Sequence, residues 1–276
     1  MSQDAPDSVR ARPDPPAPRL CHCATAAHRP AVSLTLLGGF VLRLDADPVD
    51  LPAGAQRLVA LLALRGRTGR SRLAGTLWPE TMEHRALASL RTGIWRVNQA
   101  AGQLISSTSG TVDLSAGVAV DVRRLVEHGR AVLKNVADHP VDQAYAVLDS
   151  DGELLPDWDD EWLHADRERL RQIRLHLLEA SALRLARAGL YGLALEAALA
   201  ALRMDDARES AHRALIQVHL AEGNVSEARR AYERCRVVLV HDVGVEPSPA
   251  TSRLLAGRLE PPDRVAMVTS SLCDAR

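Results

Sequence analysis

Gly189-Leu-Tyr-Gly-Leu-Ala-Leu-Glu-Ala197 and Gly223-Asn-Val-Ser-Glu-Ala-Arg-Arg-Ala231 stand 34 residues apart, and in register they repeat a glycine, a large apolar residue and two alanines. That period is the signature of antiparallel helix pairs stacked one on the next, with small alanines permitting close approach of the helices. The preceding stretch from Trp162 to Ala188 reads as a helix that supplies a packing partner. Everything after Asp121 reads as helix, broken at His139-Pro140, Gly152 to Pro156, Gly189, Gly223 and Gly244 to Pro249. The back of the chain is therefore expected to be an all-α repeat domain of the tetratricopeptide type.

The front has a different rhythm. Ser33 to Leu37 alternates, Gly38-Gly39 makes a turn, and Phe40 to Leu44 alternates again. A third short strand, Val49 to Leu51, is expected after the turn Asp45 to Pro48. Pro52 then opens a helix to about Leu64, Ser71 is placed as the cap of a short second helix ending at Trp78-Pro79, and a third helix runs from about Arg85 to Ala101. Two strands, Leu104 to Thr108 and Thr111 to Leu114, turn around Ser109-Gly110. Sheet, three helices, hairpin is the order of an α+β winged helix-turn-helix of the OmpR type.

Composition agrees with two domains. Of 276 residues, 46% are hydrophobic and only 3% aromatic, so the cores must be built from Leu, Ala and Val. The formal net charge of −1 hides an asymmetry: residues 32–120 carry nine Arg against six acids, and residues 121–260 carry nineteen basic against twenty-four acidic residues. A basic front and an acidic back suit a DNA-reading module joined to a protein-facing one. The four cysteines (Cys21, Cys23, Cys235, Cys273) form no disulfide framework, no apolar run reaches membrane-spanning length, and the N-terminus lacks an apolar signal core. The expected setting is the cytoplasm.

Catalytic signatures are missing. Lys134 is the only lysine, so no GxxxxGK[ST] phosphate loop exists, and GxSxG, HExxH and CxxC are absent as well. Cys21-His22-Cys23 with His28 does not have zinc spacing. Asp157 and Asp159 to Glu161 read as a helix start, where acids complement the dipole. Neither an enzyme nor a cofactor is expected.

The third helix carries the sharpest functional pattern. Leu87, Leu90, Ile94, Val97 and Ala101 share one arc, with Ala86 at its border. The opposite arc holds Arg85, Ser89, Thr92, Arg96 and Gln99, flanked by Arg91 and Trp95, and from His84 to Ala101 there is no Asp or Glu. Such a helix can anchor by one stripe and meet bases and phosphates by the other, Arg pairing bidentately with guanine. The run Arg65, Arg67, Arg70, Arg72 suits phosphate contacts from the linker, with Arg70 and Arg72 nearest the second helix. The proposed wing, Ser106 to Thr111, has no basic residue and would touch the minor groove through groups such as Thr108 and Thr111. Gly93, in mid-helix, costs about 1 kcal/mol relative to Ala.

Leu36-Leu-Gly-Gly-Phe40, Leu51-Pro52 with Gln56-Arg57, Ala74-Gly-Thr-Leu-Trp78-Pro79 and Ala88-Ser-Leu-Arg91-Thr-Gly-Ile-Trp95-Arg96 resemble the Streptomyces antibiotic regulatory proteins. Leu154-Leu-Pro156-Asp-Trp158-Asp-Asp-Glu161-Trp162, Arg208-Glu209 with Ala211-His212-Arg213, and Gly244-Val-Glu246-Pro247-Ser-Pro249 resemble their bacterial transcriptional activation domain. The likeness covers roughly Ser33 to Leu259. It implies a winged helix at 32–120 and a tetratricopeptide-like activation domain at 121–260; residues 1–31, with six prolines and almost no large apolar residues, read as a disordered N-terminal tail, and 261–276 as a C-terminal tail. It further implies a transcriptional activator that binds promoter direct repeats on double-stranded DNA as a homodimer or side-by-side pair and contacts RNA polymerase, often for a secondary-metabolite (antibiotic) gene cluster. By the same resemblance Arg85, Ser89, Arg91, Thr92 and Arg96 match the recognition helix, and the loop Pro79 to His84 matches a polymerase-facing segment. Gly93 and Val97-Asn98 depart from the family pattern. The alternative is a helical-repeat interaction adaptor with weakened or lost DNA binding.

Overall fold

The computed structural model describes residues 32–108, 110–134 and 152–256. The readings at Cys21, Cys23, His28, His139-Pro140 and Cys273, and the two tails, fall outside them.

Strands β1 (Val32–Thr35) and β2 (Val41–Leu44) pair antiparallel, Leu34 opposite Leu42. The chain reverses at Asp45 and Ala46, both at positive φ, so the turn occupies two residues rather than four. The third strand, β3, is accordingly Asp47–Pro48 instead of Val49 to Leu51; Pro48 is tolerated because β3 is an edge. Helix α1 (Ala53–Arg65) follows Pro52 and buries Leu58, Leu61 and Leu62.

Between α1 and α2 (Arg70–Leu77) lies a strand that the arginine-rich linker concealed, β4 (Thr68–Gly69). Gly69 is the residue that caps α2, and Ser71 lies inside it. No side chain caps that helix; the Arg70 N–H goes to the Gly110 carbonyl at 3.0 Å. Helix α3 (Glu83–Ala101) leads into β5 (Ile105–Thr108) and β6 (Thr111–Leu114), which pair with β4 in a three-stranded sheet ordered β4-β6-β5. A short β7 (Ala119–Val120) returns parallel to β1, so the first sheet is mixed rather than wholly antiparallel. The front is a winged helix.

Helices α4 (Asp121–Lys134), α5 (Glu161–Arg187), α6 (Tyr191–Met204), α7 (Glu209–Glu222) and α8 (Val225–Val238) follow, then one π-helical turn at Leu239–Val243 and the short α9 (Pro249–Ser252). The 34-residue period is realised as the sequence predicts. Gly189 and Gly223 hold positive φ at the two turns, and Ala194, Ala197, Ala228 and Ala231 are all buried.

The two halves share a core. Leu154, Leu155, Leu163 and Leu170 belong to the same apolar cluster as Leu34, Leu58, Leu90 and Val97. Helix α5 is the common beam: its first half lies on the front core, while Ala182, Leu185 and Ala186 pack among α6 to α8. Residues 152–155 extend along the end of β1, with Gly38 N–H donating to Glu153 and Leu155 N–H to Leu36. A Cβ on Gly152 would come within 2.6 Å of the Gly38 nitrogen, at a φ of +127°, so only glycine allows that approach. Among the described residues no helix is long and apolar enough to cross a membrane.

Candidate nucleic-acid interface

Helix α3 divides as its periodicity demands. Ala86, Leu90, Val97 and Ala101 are buried, and Leu87 and Ile94 pack against the same core half-buried. Arg85, Ser89, Arg91, Thr92, Arg96 and Gln99 are exposed. The helix starts two residues earlier than the sequence suggested, adding Glu83, whose charge sits at the positive end of the dipole and away from the middle of the face. Thr92 donates its hydroxyl to the Ala88 carbonyl at 3.1 Å and keeps its lone pairs for an incoming donor. Gly93 now has a reason. A Cβ there would stand 3.3 Å from Leu58 Cδ2, so the missing side chain sets α3 close against α1.

The arginines sort into two kinds. Among the described residues no hydrogen bond or ion pair engages Arg85, Arg91 or Arg96. Others are committed to the fold. Arg57 Nε holds both oxygens of Asp160 at 2.8 and 2.9 Å and lies 5.5 Å over the Trp158 ring, against which Phe40 also stacks. Arg65 donates to the Trp162 carbonyl at 3.0 Å, pairs with Asp166 at 3.5 Å and rests on the Trp162 ring. Arg123 caps the end of α1 through the Leu62 and Ala63 carbonyls, and Arg167 gathers the carbonyls of Leu154, Leu155 and Trp158.

This sorting splits the linker run. Arg65 turns back to α5 and is withdrawn from the proposed phosphate-contacting group. Arg67 and Arg70 go to the wing: Arg67 donates to the Thr111 hydroxyl at 3.0 Å and Arg70 to the Ser107 hydroxyl at 2.5 Å. Arg72 is exposed on the first turn of α2. The wing hairpin, without a basic residue of its own, thus receives two guanidinium groups, from Arg67 just before β4 and Arg70 at the start of α2. Thr108 is exposed, but the Thr111 hydroxyl is already occupied, accepting from Arg67 and donating to the Thr108 carbonyl at 2.9 Å. Sequence reasoning missed Arg67 as a wing residue, and the one available signal was its place two residues before Gly69.

The acidic cluster is a brace as well as a helix start. Asp160 occupies the N-cap of α5 without capping it; its carboxylate faces Arg57 and the Trp162 indole N–H. At the far end Glu209 accepts from the Ser248 N–H at 2.8 Å and from the Ser248 and Thr251 hydroxyls, both at 2.5 Å, which joins the Arg208–Arg213 and Gly244–Pro249 segments into one lock. Burial alone would push the Glu209 carboxyl up, but these hydrogen bonds outweigh it and hold it below the usual range. Burial lowers the His212 pKa, its Nε2 set 2.8 Å from the Asp206 carbonyl, and raises the Cys235 thiol to about 11. Among the described residues no group of three or more His, Cys, Asp and Glu is placed to hold a metal ion.

Residues 120–257 match the family described as "Bacterial transcriptional activator domain". The chain is 30% identical over 221 residues to Regulatory protein AfsR of Streptomyces coelicolor and 28% identical over 216 residues to Regulatory protein AfsR of Streptomyces griseus. These alignments cover 75% and 74% of this chain but only 22% of either relative, so it spans less than a quarter of their length. Its fold is similar to that of Mycobacterium tuberculosis EmbR, solved in complex with a low affinity phosphopeptide, with a TM-score of 0.71 at 20% identity, covering 84% of this chain and 66% of that one.

Proposed function

Because the chain belongs to the bacterial transcriptional activator domain family, in the group of Streptomyces antibiotic regulatory proteins, we propose that it is a DNA-binding transcriptional activator rather than an enzyme. The observation that carries the reading is the exposed face of α3, which offers Arg85, Ser89, Arg91, Thr92 and Arg96 with no carboxylate from His84 onward. Laid in a major groove, Arg91 and Arg96 reach guanine edges while Ser89 and Thr92 supply short hydrogen bonds. Arg67, Arg70 and Arg72 meet phosphates, and Thr108 at the wing tip meets the minor groove. On this reading the protein works in the cytoplasm and occupies promoter direct repeats, two copies side by side. The exposed segment from Pro79 to His84, a loop and the first two residues of α3, faces RNA polymerase, and the regulated genes are those of a secondary-metabolite cluster.

A mobility shift on upstream genomic fragments tests the core of this. Arg91→Ala and Arg96→Ala should each weaken binding about five- to 150-fold, the scale of one bidentate base contact. Undiminished binding by the double variant removes α3 as the recognition helix.

A second reading, an interaction adaptor with weakened or lost DNA binding, draws on Val237, Val240, Val243 and Val245, which are exposed together around the end of α8 and its π-helical turn. It predicts no shift of any fragment by the unaltered protein.

A further inference from the structure

We propose that Trp95 reads sequence in the major groove by packing its indole edge on the C5-methyl groups of thymine. The inference rests on the DNA-binding reading above and adds one specificity-determining contact to it. Trp95 is 61% exposed in the middle of a helix whose other large apolar residues are buried or half-buried. At about 100° per residue, the buried arc of α3 faces away from a line through Thr92 and Gln99, and Trp95 lies about 50° from that outermost line, nearer to it than Arg91. A helix that enters the groove by its outer row therefore carries Trp95 in. It stands on the flank where the wing begins, since Asn98, three residues on, is bonded to the Ile105 N–H at 2.8 Å and the Ile105 carbonyl at 3.0 Å.

The surroundings select the occupant. Arg91 lies one turn before the indole on α3 and Arg96 follows it directly in sequence, both exposed, and no carboxylate lies on α3 beyond Glu83. A protein partner would meet uncompensated positive charge around this ring, whereas duplex DNA supplies the complementary charge from its phosphates. Among base edges in the major groove the thymine methyl is the apolar group, so a large apolar side chain carried in among hydrogen-bond donors has one good partner. The bulk of an indole adds contact area that alanine or threonine at this position would not give.

The test selects tight sites from a random duplex pool with the 276-residue chain. Each thymine of a selected site is then replaced by uracil, which deletes only the methyl. At one or more positions the replacement should weaken binding about three- to fivefold, the scale of one buried methyl group. The same replacement should leave Trp95→Ala unaffected, and Trp95→Phe should keep part of the sensitivity. Circular dichroism on each variant separates these effects from misfolding. Equal uracil sensitivity in the original protein and Trp95→Ala, or none at any position, overturns the inference. So does full DNA binding by Trp95→Ala with transcription lost in a reconstituted assay, which makes Trp95 a protein-docking residue. If the original protein enriches no duplex at all, the DNA-binding reading itself falls, and this inference with it.

Discussion

A Cβ on Gly93 would meet a fully buried Leu58 at 3.3 Å, and that contact fixes what substitutions there can do. Alanine gains about 1 kcal/mol of helix propensity, which offsets most of the crowding. Valine adds two methyls beyond the Cβ that already crowds Leu58, so Gly93→Val should destabilise by about 1–3 kcal/mol, read as a lower melting temperature by calorimetry. The helix-propensity cost of Gly93 was legible in the sequence, but its benefit was not, because the partner lies 35 positions away on another helix. The exposed arc of α3 was legible for the opposite reason: a 3.6-residue period is local, and burial follows from it directly. His212 shows the same limit, since nothing in the sequence announces that Asp206 and the surrounding helices enclose it. Its pKa is lowered by burial, so the stability it contributes is present above its ordinary value of about 6.5 and is lost as pH falls through the lowered one. Glu209, also lowered, loses its contribution only in more acid solution, below the carboxylate's ordinary value of about 4.3. Denaturant titrations from pH 7 down to pH 5 should therefore show falling stability, and His212→Gln should flatten that slope whatever its absolute stability. An unchanged slope would mean that His212 does not titrate with unfolding.

At the scale of elements, the long helices could be read from the chain and the two-residue strands could not. A strand such as β4 or β7 is too short to show alternation, and it exists only because a partner far along the chain supplies its hydrogen bonds. The consequence is functional, because the arginine run read as one phosphate-contacting linker is divided by β4. Arg67 and Arg70 serve the wing, and Arg65 serves α5. These roles separate in salt titrations of DNA binding. Removing one phosphate contact should reduce the slope of log affinity against log salt by about 1, so Arg70→Ala or Arg72→Ala should lower it by that amount. Arg65→Ala should leave the slope alone and lower thermal stability instead. A salt slope unchanged by both Arg70→Ala and Arg72→Ala would remove β4 and α2 from the DNA interface.

For the whole molecule the decisive fact is that the winged helix and the helical repeats are not beads on a string. The segment Leu154 to Trp162, recognisable in sequence as a family signature, has a mechanical meaning that only the folded chain supplies: it lies on the end of β1, stacks Trp158 on Phe40 and presents Asp160 to Arg57. Phe40 is the only phenylalanine in the protein, and it is placed at this joint. Asp121 fastens the same corner by accepting from the Leu36 and Leu37 N–H groups at 2.8 and 2.9 Å. On the proposed DNA-binding reading such a chain transmits position: with α3 seated on a promoter, the direction in which α6 to α8 point is set by the joint rather than by a linker. Three measurements follow. Thermal unfolding should be one transition, with calorimetric and van't Hoff enthalpies in agreement, because the first half of α5 belongs to the front core and the repeats pack on the second half of the same helix. Arg57→Ala and Asp160→Ala should be non-additive by about 0.5–3 kcal/mol in a double-mutant cycle, since each removes the other's partner. In a reconstituted promoter assay the double variant should keep its DNA affinity, because Arg57 and Asp160 lie off the α3 face, and lose transcript yield as the repeats are released from their fixed bearing. Transcription unchanged by a joint shown to be loosened would mean that the activation surface needs only to be tethered near the promoter, and that the shared core serves stability alone.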